Sequence, residues 1–118
     1  MSERPYHYVL VRTDLTAAQQ MVQAAHAAYE AGSKYGTHER NGSLVMCAVS
    51  DEEALQQAIS RLEYGDIPHV VWREPDLGNE ITSVATAPLP PVQRKAMRRF
   101  RMWQGGYTPF SHGCGVLQ

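Results

Sequence analysis

Cysteine is scarce: the 118 residues hold only Cys47 and Cys114. Two cysteines so far apart give neither a zinc nor a redox spacing, which excludes a disulfide scaffold and a paired-thiol metal site. Cys47 lies inside the apolar run Leu44 to Val49 and reads as a small core hydrophobe. No metal and no cofactor is expected. Long hydrophobic runs are also missing. No stretch approaches the roughly 18 apolar residues of a membrane span. The N-terminal MSERPYHYV lacks the basic-then-apolar layout of a signal peptide. These absences point to a cytoplasmic protein without a membrane partner.

Acid is absent after Glu80. All 12 acidic residues lie between Glu3 and Glu80, against six bases there, so that part carries −6. Beyond it come only Arg94, Lys95, Arg98, Arg99 and Arg101, giving +5. Such asymmetry suits an anion-binding end or a solvated basic helix, and the charges alone leave both open.

What is present is a run of alternating elements. Residues 6–12 (YHYVLVR) read as a strand covered on both faces, because four apolar residues follow one another. Thr16 with Gln19 has capping-box spacing and opens a helix over 16–31, with Gly32 as its stop. On that helix Ala17, Met21, Ala24, Ala25 and Ala28 share one side, which is expected to face the sheet. Gln19, Gln23, His26 and Glu30 share the other.

A polar loop over 33–41 leads to a second buried strand, 43–49. Ser50 with Glu53 marks a helix over 51–63, whose Leu55, Ala58, Ile59 and Leu62 lie on one face. A third strand covers 69–73. Residues 74–79 (EPDLGN) form a turn in which Gly78 can take positive φ. The fourth strand, 80–86, alternates: Ile81, Ser83 and Ala85 on one face, Thr82, Val84 and Thr86 on the other. It is expected at an edge of the sheet. Pro91 begins a last helix over 91–101, whose Arg94, Arg98 and Arg101 fall at i, i+4 and i+7.

The fold expected is α/β: a single three-layer α/β/α domain with a four-stranded mixed sheet, in the order β-α-β-α-β-β-α. That domain covers 1–102, and a glycine- and aromatic-rich tail covers 103–118.

Val9-Leu10-Val11-Arg12-Thr13-Asp14-Leu15, followed by Gln23-Ala24-Ala25-His26-Ala27-Ala28, resembles the opening of the type II peptidyl-tRNA hydrolases of archaea and eukaryotes. Asp76-Leu77-Gly78 resembles that family's D-A-G turn between its last two strands. The family's basic G-K-G-K-like loop has no counterpart: Thr16-Ala17-Ala18-Gln19 stands in its place.

The resemblance implies hydrolysis of the ester between a peptide and the terminal ribose of tRNA. Such a reaction needs a base to activate water and donors for a tetrahedral oxyanion. His26, Asp76 and Gln23 are the catalytic candidates. Histidine titrates near neutral pH, a carboxylate can orient it or act as base, and an amide can hold a carbonyl or ribose hydroxyl. Backbone N–H groups around Leu77 to Asn79 are candidate oxyanion donors.

Thr13, Asp14, Gly78, Asn79, Glu80, Arg94 and Arg98 are the candidate substrate-binding residues, with RNA as partner and a homodimer as the implied assembly. Trp103, Tyr107 and Phe110 suit either stacking on bases or folding the tail back over the core. The alternative reading keeps the scaffold without the catalysis: a binding module for a nucleotide, RNA or protein partner.

Overall fold

The computed structural model describes residues 4–36 and 42–105. Strand β1 (Tyr6–Arg12) is the centre of the molecule. It pairs in parallel with β2 (Ser43–Val49), from Tyr6 opposite Ser43 to Arg12 opposite Val49. On its other side it pairs antiparallel with β4 (Glu80–Thr86), Leu10 facing Val84. Strand β3 (His69–Glu74) completes a hairpin with β4, and β5 (Arg101–Met102) pairs antiparallel with β2. The spatial order is β3-β4-β1-β2-β5.

The helices lie on opposite faces of this mixed sheet. Alternation sends Val9 and Val11 one way, onto Ala24, Ala27 and Ala31 of α1 (Ala17–Tyr35). Tyr8 and Leu10 point the other way, onto Leu55, Ala58 and Leu62 of α2 (Glu52–Tyr64). Small alanines let α1 sit close, and larger aliphatics fill the α2 side. Leu89 and Met97, from the chain beyond β4, complete that second core at 0% and 1% exposure.

Several expectations are corrected. The sheet has five strands, not four. Strand β4 is interior, and every residue of it after Glu80 is buried. Its polar residues are compatible with the interior because each finds a partner. Thr86 Oγ1 accepts from Tyr8 N at 3.1 Å, and Thr82 and Ser83 both bond to α1. Its strict alternation also fails. The β3–β4 register passes from Trp72 opposite Ser83 to Arg73 opposite Ile81, leaving Thr82 as an extra residue. Such a bulge changes the phase of a strand. Thr82 and Ser83 therefore both reach α1, while Ile81 and Val84 both join the α2 core.

Helix α1 runs through Gly32 to Tyr35. A side chain at Gly32 would meet nothing, and Tyr35 OH donates to His69 O at 3.0 Å, holding the extra turn. The actual C-cap is Gly36, with φ 79. The helix is also rotated from the expected face. It buries Gln20, Gln23, Ala24, Ala27 and Ala31, and leaves Met21 61% exposed. Two glutamines displace a methionine because the surface beneath them is polar, as the site below shows. Helix α2 is capped by Asp51, whose Oδ1 accepts from Ala54 N at 2.9 Å, rather than by Ser50.

The expected helix over 91–101 is a single turn, α3 (Pro91–Arg94), followed by a three-ten turn at Lys95–Met97 and then β5. Met97 anchors this segment in the α2 core, and the pairing of Met102 with Cys47 draws the chain into the sheet. Arg94, Arg98 and Arg101 therefore do not form one helical row. Trp103 folds back: its backbone N–H donates to Met46 O at 2.8 Å and its indole N–H to Gln20 Oε1 at 2.6 Å. Tyr107, Phe110 and Cys114 lie outside the described residues.

Candidate functional site

The first three turns of α1 and the β3–β4 turn enclose an open cleft of about 320 Å³. A reciprocal capping box fixes the helix start: Thr16 Oγ1 accepts from Gln19 N at 3.2 Å, and Gln19 Oε1 accepts from Thr16 N at 3.3 Å. From there Gln19, Gln23 and His26 come to the cleft at three- and four-residue steps along the helix. The opposite wall is Glu74, Asp76 and Leu77. Pro75 starts a three-ten turn over Pro75–Leu77, and Gly78 (φ 66) and Asn79 (φ 62) close it in the left-handed region. This local geometry brings Asp76 to the rim.

Behind the rim sits a hydrogen-bonded carboxylate. Glu74 is 9% exposed. Its Oε1 accepts from Gln23 Nε2 at 2.9 Å and from Trp72 Nε1 at 3.5 Å, and its Oε2 accepts from Asp76 N at 3.1 Å. The Gln23 amide is the largest cause holding this carboxyl below its ordinary range. The Asp76 N–H helps, burial opposes, and the Trp72 indole and the nearby His26 add to the lowering. The other end of the Gln23 amide is also engaged, since Thr82 Oγ1 donates to Gln23 Oε1 at 2.6 Å. The His26 imidazole lies flat on Trp72, with ring centroids 4.3 Å apart and planes 8° from parallel.

Of the three catalytic candidates, His26, Asp76 and Gln23 all line this one cleft. Gln23 is 4% exposed with its amide bonded at both ends, so it positions Glu74 rather than offering a free group to a ligand. Sequence reasoning passed over Glu74 and Trp72. Their signal was period two: Val70, Trp72 and Glu74 share one face of β3, the face toward α1. Of the backbone N–H groups expected around Leu77 to Asn79 as donors, that of Asn79 turns inward to Glu74 O at 2.9 Å.

The remaining candidates are dispersed. Arg12, 7% exposed, is the hub for two of them. It grips Asp14 with Nε and Nη2, both at 2.9 Å, and reaches Glu80 Oε1 at 2.8 Å and Ile81 O at 3.1 Å with Nη1. Burial works against the Arg12 charge, but its hydrogen bonds and the two carboxylate charges outweigh it, and its pKa is raised. Asp14 and Glu80 thus tie the ends of β1 and β4 together. Thr13 N and Oγ1 both bond Val49 O, at 2.8 and 3.3 Å. The Arg94 guanidinium lies over the Tyr6 ring, 3.3 Å from its centroid, and so packs against the protein. Arg98 is exposed and ends the three-ten turn. None of Thr13, Asp14, Glu80, Arg94 or Arg98 lines the cleft. Among the described residues, no group of three or more His, Cys, Asp or Glu is placed to hold a metal ion, and no helix is long and apolar enough to cross a membrane.

These features define a single mixed α/β domain with a small open cleft between α1 and the β3–β4 turn. No protein-family model and no curated protein matches the chain. Among solved structures it is similar to a protein of unknown function from Agrobacterium tumefaciens strain C58, with a TM-score of 0.65 at 16% identity, over 86% of this chain and 99% of that one. At that identity the likeness establishes the fold alone.

Proposed function

We propose that the chain is a peptidyl-tRNA hydrolase-like protein, hydrolysing the ester between a peptide and tRNA. The observation that carries this reading is that His26 and Asp76, from elements fifty residues apart in sequence, line one open cleft. In the proposed reaction, a water beside His26 loses a proton to the imidazole and attacks the ester carbon, and the proton then passes to the departing ribose oxygen. Asp76 orients the imidazolium or takes the proton itself. Trp72 holds the ring by stacking, and Gln23 fixes the Glu74 carboxylate at the back of the same cleft. Gln19 stands where the resembled family places its basic loop. Its carbonyl oxygen is taken by Thr16 N–H, which leaves its NH₂ to donate to the oxyanion.

The test is release of peptide from an N-blocked aminoacyl-tRNA by the purified chain. Turnover is expected for the wild type, with a loss of at least about a hundredfold in His26→Ala. Absence of turnover in the wild type, or unchanged turnover in the variant, would sink this reading.

One observation favours a second reading, a non-catalytic binding module. The cleft lining contains two carboxylates and neither lysine nor arginine, an unwelcoming surface for a phosphate backbone. If this reading holds, tRNA does not bind at the cleft, and a neutral or cationic ligand raises the melting temperature without being consumed.

A further inference from the structure

On the α2 side of the sheet, away from the cleft, the chain leaves a second and larger hollow. It lies between the end of α2 and the segment after α3, with a volume of about 720 Å³. A smaller hollow of about 390 Å³ adjoins it and shares Arg61, Arg99 and Phe100, so the two make one groove. Lys95 adds a third cation to its wall. Arg61, Lys95 and Arg99 are all exposed and make no ion pair among the described residues. Glu63 and Asp66 are close in sequence but line neither hollow. Tyr64 stands 94% exposed at the mouth, and Phe100, half-buried, forms part of the floor with buried Ile67.

We infer that this groove binds a nucleotide, with its phosphate on Arg61, Lys95 and Arg99 and its base against Phe100 and Tyr64. Each part of the wall contributes to that assignment. Three cations that make no ion pair among the described residues, around one hollow with no carboxylate among its described lining, make a local positive field in a chain of net charge −1. Two aromatic rings supply flat apolar surface at the same place, and base stacking on such rings is sequence-tolerant. The volume is within the range of pockets that enclose a small ligand. The carbonyl end of α2 repels anions and Arg61 in that last turn offsets it, so the phosphate is placed toward Lys95 and Arg99 with Arg61 beside it, and the base toward Tyr64.

The groove restores a role to part of the basic segment that the sequence singled out. Lys95 and Arg99 reach it, whereas Arg94 stacks on Tyr6. The site is independent of the proposed hydrolysis. It occupies the opposite layer, and no variant in its test alters His26.

The nucleotide can be free or part of an RNA strand, and the test separates these. The full chain is titrated with 5′-AMP, adenosine, inorganic phosphate and a six-residue oligoadenylate, at low and high salt. Amide shifts are followed by NMR. Saturable binding of AMP or of the oligonucleotide is expected, with shifts centred on Gly65, Ala96 and Phe100. Adenosine and phosphate are each expected to bind at least about tenfold more weakly. Tighter binding of AMP identifies the free nucleotide, and tighter binding of the oligonucleotide identifies the strand. Arg99→Glu with Lys95→Glu should weaken binding at least about tenfold while leaving the melting temperature unchanged, since both side chains are exposed. Phe100→Leu keeps the apolar floor and should weaken AMP but not phosphate. Four results would each overturn the assignment: no binding of either nucleotide form, phosphate binding equal to AMP, binding unaffected by the charge reversals, or shifts centred on the His26 cleft.

Discussion

His26 lies parallel to Trp72, with 4.3 Å between ring centroids, so one residue of α1 is seated on one residue of the edge strand β3. The shielding current of an indole acts on protons held above its face. The His26 ring protons are therefore expected upfield of ordinary histidine positions, and Trp72→Leu should return them there. Ring protons at ordinary positions in the wild type would show that the stack is absent in solution. The stacking preference beyond buried area is worth about 1 kcal/mol, so the variant should also melt slightly earlier.

Gln23 joins Glu74 and Thr82 through the two ends of its amide. Thr82, at 0% exposure, donates its hydroxyl to the Gln23 carbonyl oxygen. Gln23→Ala strands that hydroxyl, and an unsatisfied buried group costs roughly 1–3 kcal/mol. Urea unfolding should show the loss in the midpoint with an unchanged slope. Gln23→Glu places a second carboxylate against Glu74 and should be worse than alanine at neutral pH.

Glu74 predicts a direction for acid sensitivity. Its folded pKa is lowered, chiefly by Gln23, so the folded state binds that proton less readily than the unfolded chain does. The stabilisation is present above the usual carboxylate value of about 4.3 and is lost as pH falls through the lower folded value. Melting temperatures between pH 3 and 6 should fall with acid in the wild type. Glu74→Gln should flatten that part of the curve. Equal slopes in the two proteins would remove Glu74 from the acid response.

Trp103 pins the segment after β5 to α1 through its indole N–H on Gln20. Trp103→Phe retains most of the ring packing and removes only the donor. A loss of about 1 kcal/mol is expected in denaturant unfolding. A neutral result would mean that water replaces the indole at Gln20 Oε1.

The sequence carried the framework well where a local rule and the core agreed. The strands 6–12, 43–49 and 80–86 match the structure in extent, since β-forming runs bounded by turn residues mark strand ends. They do not match in burial: 43–49 was expected to be buried and only its Cys47 is, while 80–86 was expected at an edge and is interior. The Thr16–Gln19 capping box formed as its spacing indicated. Local rules failed where distant partners decide. Nothing near Gln20 or Gln23 announces Trp103, Thr82 and Glu74, so periodicity assigned the wrong face to α1. The pairing of Arg101–Met102 with β2 is equally invisible, since two residues make no pattern. Of the cleft, His26 and Asp76 were reached through motif resemblance, while Glu74 looked like an ordinary turn residue before Pro75.

Strand β5 is two residues long, yet it covers Cys47 and Ala48 on the outer rim of β2, and Trp103 N–H binds Met46 O just beyond. Backbone groups at an open sheet margin are templates for another chain. The residues around 101–103 thus act as a cover strip over a run that already presents Leu44 at 63% exposure. Peeling that strip away would bare a continuous docking rail along β2, and self-association through strand addition would follow.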